Sequence, residues 1–157
     1  MVQEVFQRYE KKYRITREQY NQLICRMITR MEADIYGKHT ICNIYFDSPE
    51  YELIRTSLEK PIYKEKLRLR SYGIPSDEDT VFLELKKKYN GVVYKRRVPM
   101  KLREARKYLY YGIKPEADSQ ILREIDYAMQ VYQPKPMVYL AYERIAFYGM
   151  EGGQICA

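Results

Sequence analysis

Cationic side chains recur at every second position in several segments of the sequence. Positions 64, 66, 68 and 70 are lysine or arginine, and the same spacing recurs at 86 and 88 and again at 95 and 97. Because alternate residues of a β-strand share one face, each segment would place its cations together. Lysine and arginine carry fixed positive charge, so such a face would attract an anionic partner. The spacing therefore indicates a polyanion-binding surface.

The charges on these faces are strongly biased toward one sign. A sheet with one solvated face also alternates polar and apolar residues, so a single strand would not distinguish a site from a wet surface. Two cations about 4 Å apart repel by roughly 4 kcal/mol at an effective dielectric of 20, and such clusters need solvent or a polyanion to offset them. The cations that share faces in this way are Arg8, Lys12, Arg68, Arg70, Lys86, Lys95, Arg97 and Arg144, opposed by Glu10 and Glu84.

Ten secondary-structure elements are predicted to position these residues. Thr16 and Gln19 form a capping-box pattern at a helix start, and Ser48 followed by proline is typical of another. Asn90-Gly91 predicts a tight hairpin between two strands. The predicted strands cover residues 3–15, 40–47, 62–72, 80–88, 92–100 and 137–148. Two helices begin at the caps Thr16 and Ser48, and two more cover residues 101–111 and 118–131.

Short hairpins require antiparallel pairing, so the fold class is α+β on an antiparallel sheet. The face opposite the cations carries leucines at positions 67, 69, 83 and 85. If the amphipathic helices cover those leucines, the cationic face points away from them. A curved sheet would then enclose a basic groove or tunnel. The apolar fraction of 46% over 157 residues is ordinary for one globular domain.

Six short motifs, in order along nearly the whole chain, resemble the VTC domain. This is the polyphosphate polymerase domain of the triphosphate tunnel, or CYTH-like, superfamily. The resemblance implies an antiparallel β-tunnel with helices packed outside it. The motifs are Arg8-Tyr9-Glu10-Lys11-Lys12-Tyr13, Asn43-Ile44-Tyr45-Phe46-Asp47, Lys66-Leu67-Arg68-Leu69-Arg70-Ser71-Tyr72-Gly73, Phe82-Leu83-Glu84-Leu85-Lys86, Tyr94-Lys95-Arg96-Arg97-Val98 and Tyr142-Glu143-Arg144-Ile145-Ala146-Phe147.

The resemblance also implies a reaction and a set of site residues. The family reaction transfers the γ-phosphate of ATP to a growing polyphosphate and uses a divalent metal, Mn²⁺ or Mg²⁺. The resemblance assigns no catalytic residue in this sequence. Glu10 and Glu84 are the candidate metal ligands, although each could instead pair with a cation two residues away on its strand. The residues expected to bind phosphate are Lys12, Arg68, Arg70, Lys86, Lys95, Arg97 and Arg144, with secondary positions at Arg8, Glu10, Lys66, Glu84 and Tyr142.

The last residues depart from the family pattern. After the Tyr-Glu-Arg strand the family continues with strands that carry another tunnel arginine and a metal-binding glutamate, and residues 150–157 match neither. We therefore expect a partial domain over residues 1–149, a tail over 150–157 and an incomplete tunnel. On this expectation, the chain would not make polyphosphate at a useful rate. The open sheet edge could pair with a second copy in a homodimer.

Two other functions remain open at this stage. The first is a triphosphatase of the same superfamily, and the second is a module that binds polyanions without turnover. Nucleic-acid binding is disfavoured, because the +7 net charge and 18 tyrosines permit it but no recognised nucleic-acid motif is present. Three cysteines and one histidine do not form a zinc pattern. With no apolar segment long enough to span a membrane, we expect a cytoplasmic protein.

Overall fold

A computed structural model describes residues 5–8, 11–149 and 154–156. These residues form nine strands and four helices in two compact units. The first unit contains residues 5–8 and Cys42–Ala141. The second contains residues 11–41 and the described residues after Ala141. The elements are β1 Val5–Arg8, α1 Arg17–Met27, β2 Met31–Ala33, β3 His39–Asp47, α2 Glu52–Leu58, β4 Tyr63–Tyr72, β5 Thr80–Tyr89, β6 Val92–Lys101, α3 Leu102–Tyr111, α4 Gln120–Tyr132, β7 Lys135–Arg144, β8 Ala146–Gly149 and β9 Gln154–Cys156.

The larger sheet has the order β1-β6-β5-β4-β3-β7. Its three central strands pair antiparallel, and β1 pairs antiparallel with β6. Asn90 and Gly91 join β5 to β6 with φ angles of 45° and 83°. Positive φ at both central residues is the geometry of the hairpin turn that Asn-Gly favours, so the predicted hairpin is confirmed. With β1 and β7 at its two ends, the sheet is not closed within the described residues.

One face of this sheet forms the hydrophobic core with α3 and α4. Leu67, Leu69, Leu83 and Leu85 are all buried there, as predicted from their alternation with the cations. Burying a leucine side chain contributes roughly 1.5–3 kcal/mol, so these four anchor the sheet to its helices. The helices contribute buried residues at helical spacing, namely Ala105, Tyr108, Leu109, Ile121, Leu122, Ile125 and Ala128. The α+β, antiparallel fold class is confirmed.

The prediction for the first strand is confirmed at Val5–Arg8 and wrong for residues 11–15. Among the described residues of that span, Val5–Arg8 form a strand and residues 11–15 have no regular structure. Glu10, Lys12 and Arg14 stand at alternate positions, which is typical of a solvent-exposed strand face. The described pairing of β1 with β6, however, extends only as far as Arg8, which lies opposite Val93. Residues 9–10 lie outside the described part of the chain. Alternation alone therefore does not show how far pairing extends.

Two helix starts were predicted with different success. Thr16 caps α1 and exchanges hydrogen bonds with Gln19 in a capping box, as predicted. Ser48 is not the residue directly before α2, which begins at Glu52, but its hydroxyl accepts a hydrogen bond from the backbone N–H of Glu52 at 3.0 Å. The Asp47 carboxylate also accepts hydrogen bonds from the backbone N–H groups of Ser48, Leu53 and Ile54 at 2.8–3.0 Å. Asp47 therefore satisfies the free donors of the first turn.

The second unit contains a smaller sheet in the order β2-β8-β9. The last predicted strand, 137–148, is interrupted at Ile145 and divides into β7 and β8. β8 pairs antiparallel with β2 and with β9, so residues 146–149 belong to the smaller sheet. The predicted domain limit at residue 149 stays a prediction, as does a homodimer through a sheet edge. Across the described ranges, no helix is long and apolar enough to span a membrane.

Candidate functional site

The register of β4, β5 and β6 aligns the predicted cations in rows across the sheet. In one row Arg68, Glu84 and Arg97 lie directly opposite one another, and in the next Lys66, Lys86 and Lys95 do. Directly opposite residues share a face, so these side chains occupy the face away from the leucines. Successive rows are two residues apart, about 6.6–6.8 Å along the strands. We define the cationic face by its charged members, which are Lys66, Arg68, Arg70, Glu84, Lys86, Lys95 and Arg97.

A fully buried carboxylate, Glu84, organises the centre of the cationic face. Its Oε2 accepts from Arg68 Nε at 2.7 Å, with Arg68 Nη2 at 2.6 Å. Its Oε1 contacts Lys95 Nζ at 2.8 Å and accepts from Arg97 Nε at 2.7 Å, with Arg97 Nη2 at 2.6 Å. These partners come from the neighbouring strands β4 and β6. Glu84 thus fixes three cations, which makes the face preorganised rather than a set of mobile surface charges.

The environment shifts the pKa values of Glu84 and Lys95. Burial alone would raise the pKa of Glu84, but the charges of Arg68, Lys95 and Arg70 outweigh burial and lower it to about 2. Burial lowers the pKa of Lys95 to about 8, and the nearby Glu84 opposes that shift only in part. Glu84 is therefore ionised throughout the physiological range, whereas Lys95 is close to titrating.

Aromatic side chains also contact the guanidinium groups of Arg68 and Arg97. Arg68 Nη1 donates to the Tyr45 hydroxyl at 3.0 Å. Arg97 Nη2 donates to the Tyr72 hydroxyl at 3.1 Å, and its guanidinium carbon lies 4.4 Å from the Phe82 ring centroid. These contacts fix the plane of each guanidinium, and a guanidinium can donate two parallel hydrogen bonds to two oxygens of a phosphate group.

Arg70 is held separately from the other two arginines. Its Nε donates to Asn43 Oδ1 at 2.9 Å, and Asn43 Nδ2 donates to the Leu140 carbonyl oxygen at 3.2 Å. Only 6% of Arg70 is exposed. Arg70 is also close enough to Glu84 and Lys95 for its charge to lower the pKa of both. Asn43 therefore connects the cationic face to the edge strand β7.

Sequence reasoning did not assign a role to the residues that support the arginines. Asn43 and Tyr45 alternate on a strand that was predicted correctly, so the period of two could have placed both on one face. Tyr72 ends the arginine-bearing strand with the same parity as Arg68 and Arg70. The signal was therefore present, but it could be used only with the strand order, which brings β3 beside β4.

The other predicted site residues lie in the second unit or outside the described side chains. Lys12, Tyr142 and Arg144 belong to the second unit, and Glu10 lies outside the described residues. Of Arg8 only the backbone is described, opposite Val93. Their roles in phosphate binding stay predictions. The residues that do share the cationic face are those from β4, β5 and β6.

The described residues do not fit the divalent metal that the family uses. A hard cation such as Mg²⁺ needs carboxylate oxygens with free coordination positions. Both oxygens of Glu84 already contact Arg68, Lys95 or Arg97, so this candidate ligand serves as a counter-ion. Within the described ranges no three His, Cys, Asp or Glu side chains group as a metal site. Glu10, the other candidate, is not among them, and we derive no metal-dependent step.

Two solved structures are similar to this chain. The structure matches the "putative adenylate cyclase" of Bacillus halodurans at 14% identity with a TM-score of 0.55, over 96% of this chain and 74% of that one. It also matches the "putative adenylate cyclase" of Vibrio parahaemolyticus at 10% identity with a TM-score of 0.45, over 99% and 68%. At such low identity the first likeness shows the fold alone.

The sequence comparisons identify the family. A search of curated proteins finds no match to the sequence. The family model of the VTC domain matches residues 7–155, which is nearly the whole chain. The matched span includes every strand of the cationic face. The chain therefore belongs to the VTC domain family, and it shares its α+β antiparallel fold with the first of these structures.

Proposed function

We propose that the cationic face binds the phosphate chain of ATP, triphosphate or polyphosphate. On this proposal the face serves the family reaction, in which a phosphoryl group passes from ATP to polyphosphate. The observation that carries the proposal is the convergence of Arg68, Lys95 and Arg97 on Glu84, with Arg70 beside them. Four cations and one carboxylate leave the described centre of this face with an excess of positive charge.

The burial of these cations supports an anionic ligand. Arg70 and Arg97 are only 6% and 9% exposed, and removing a charge from water costs several kcal/mol unless other charges and hydrogen bonds offset it. Phosphate oxygens accept the planar, paired donors that guanidinium groups present. Because Glu84 and the tyrosines already fix those donors, binding would require little ordering of side chains.

The rows of the sheet favour an elongated anion over a single phosphate. Arg70 lies one row beyond Arg68, and Lys66, Lys86 and Lys95 form the next row in the other direction. With rows about 6.6–6.8 Å apart, a phosphate chain aligned with the strands would meet cations at each row. Phosphoryl transfer depends mainly on such positioning and on neutralising charge, which fixed cations supply.

A second candidate is a polyanion-binding module without turnover. It is favoured by one observation: Glu84, the described carboxylate on this face, is engaged by cations and does not fit a metal ligand. A triphosphatase would share the binding face and differ in releasing phosphate. Incubation with ATP and Mn²⁺ separates the three, since polyphosphate, free phosphate or unchanged ATP would be recovered.

Inorganic triphosphate is expected to bind the wild-type protein, with an affinity that falls as salt is added. The Debye length shortens from about 10 Å at 0.1 M to about 3 Å at 1 M, so the partly exposed cations of the face would be screened. Calorimetric titration at several salt concentrations measures this. Absence of binding at low salt would refute the proposed function.

ATP binding is expected to weaken above about pH 8, because Lys95 loses its proton there. A phosphate ester has a second pKa of about 6, so ATP itself is fully ionised in this range. The bound anion favours the charged lysine, and by linkage the affinity falls by up to about tenfold per pH unit above pH 8. The Lys95→Arg variant, which stays charged, should show a flatter profile. The same slope in both proteins would exclude Lys95 as a ligand.

The stability of the unliganded protein should respond to Lys95 in the opposite direction. Its folded pKa of about 8 lies below the ordinary lysine pKa of 10.5, so the unfolded chain holds more protons between these values. Stability from this group therefore rises with pH across that interval. Loss of ATP affinity in the same interval thus reflects the site and is not explained by unfolding at Lys95.

A further inference from the structure

A cavity of about 220 Å³ lies in the first unit beside the cationic face. It is bordered by the end of β3, by α2, by β4 and by the edge strand β7. The wall residues that matter for its chemistry are Tyr45, Tyr51, Ile54, Lys66, Val138 and Leu140. Pockets that hold a whole drug-sized ligand usually measure about 300–1,000 Å³, so this one suits a single ring system.

Two residues of the cavity wall connect the cavity to the cationic face. Tyr45 lines the cavity, and its hydroxyl accepts a hydrogen bond from Arg68 Nη1 at 3.0 Å. Lys66 also lines the cavity and lies directly opposite Lys86 in the lysine row. A ligand that occupies the cavity would therefore lie next to the charges that we propose bind phosphate.

The walls offer apolar and aromatic surface with few polar groups. Val138 and Leu140 are each about half exposed, although they are apolar, and Tyr51 is 41% exposed. The Asp47 carboxylate, which also borders the cavity, accepts backbone hydrogen bonds from Ser48 and from two residues in the first turn of α2. The Lys66 ammonium and the tyrosine hydroxyls supply the polar contacts. A flat heteroaromatic ring, apolar on its faces and polar at its edge, fits such walls.

We propose that this cavity binds the base of a nucleoside triphosphate whose phosphates lie on the cationic face. The inference rests on the proposed function and deepens it, because it assigns nucleotide recognition to Ile54, Val138 and Leu140, which are not members of the cationic face. Val138, Leu140 and Ile54 would pack against the ring, and Tyr45 would contact both the ring and Arg68. The protein would then distinguish ATP from inorganic triphosphate through the cavity.

The test compares ATP with inorganic triphosphate in variants of the cavity wall. Val138→Gln with Leu140→Gln makes the wall polar at two half-exposed positions, and Ile54→Trp fills the cavity from α2. Tyr139→Gln is the matched control, since Tyr139 is exposed on the opposite face of the same strand. A polar wall or a filled cavity would remove the apolar surface on which the ring is buried. We expect about tenfold weaker ATP binding in the cavity variants, unchanged triphosphate binding, and no change in the control.

Calorimetric titration of the full chain with both ligands separates the outcomes. If the wild type binds neither ligand, the proposed function fails and the base site fails with it. If the wild type binds both and the cavity variants bind both equally well, only the base site is overturned. Equal weakening of ATP and triphosphate would also overturn it, because the effect would then lie on the phosphates.

Discussion

Replacing Glu84 by glutamine is expected to destabilise the protein by about 3–5 kcal/mol, the usual cost of breaking a buried ion pair from one side. Arg68, Lys95 and Arg97 all contact this carboxylate, and it is fully buried. Without its charge, three fixed cations would face one another. Denaturant unfolding at neutral pH measures the loss, and wild-type stability in the variant would contradict the assignment of Glu84 as the organising group.

Acid should reduce the difference between wild type and the Glu84→Gln variant. The pKa of Glu84 is about 2 in the folded protein, below the ordinary glutamate pKa of 4.5, so the folded state holds fewer protons than the unfolded chain between these values. The stabilisation is present above about pH 4.5 and is lost as the pH falls toward about 2. Triphosphate should also raise the melting temperature of the variant more than that of the wild type, since its charge replaces the missing carboxylate.

Glu78 provides the matched control for Glu84. It also contacts two cations, Lys101 at 2.8 Å and Arg103 at 2.5 Å, but its side chain is 58% exposed. Exposed ion pairs contribute about 0–1 kcal/mol, so Glu78→Gln should change stability little. A similar loss in both variants would mean that burial is not what makes Glu84 important.

Replacing Arg68 and Arg70 together by alanine is expected to weaken triphosphate binding by at least a hundredfold. Hydrogen bonds to charged groups contribute about 1.5–3 kcal/mol each, so two lost arginines would account for about 3–6 kcal/mol. Glu84 would keep Lys95 and Arg97 as partners, so the sheet should still fold. Circular dichroism checks that folding is retained before affinities are compared.

The period of two along the strands was sufficient to predict the two faces of the sheet. Leu67 and Leu83 had to be buried, and Arg68 and Glu84 had to lie opposite them, because neighbouring side chains of a strand alternate. Asn90-Gly91 then fixed the pairing of β5 with β6 through a two-residue turn. The cationic face of β4, β5 and β6 could therefore be predicted from the sequence.

The role of Glu84 depended on contacts that one strand cannot reveal. From the sequence it could pair with a cation two residues away, whereas the structure places its contacts across the sheet on Arg68, Lys95 and Arg97. Cross-strand partners follow from register, and register follows from turns and core packing. The break at Ile145 was missed for a related reason, since β8 leaves for the smaller sheet only because β2 and β9 pair with it.

The most direct test of the cationic face is a calorimetric titration of triphosphate into three proteins in parallel. These are the wild type, the Arg68→Ala/Arg70→Ala variant and the Arg103→Ala/Arg106→Ala variant. The last removes the same charge from α3, where both arginines pair with exposed carboxylates. We predict near wild-type affinity in the α3 variant and at least a hundredfold loss in the strand variant. Equal affinities in the two variants would show that net charge, and not the cationic face, binds the anion.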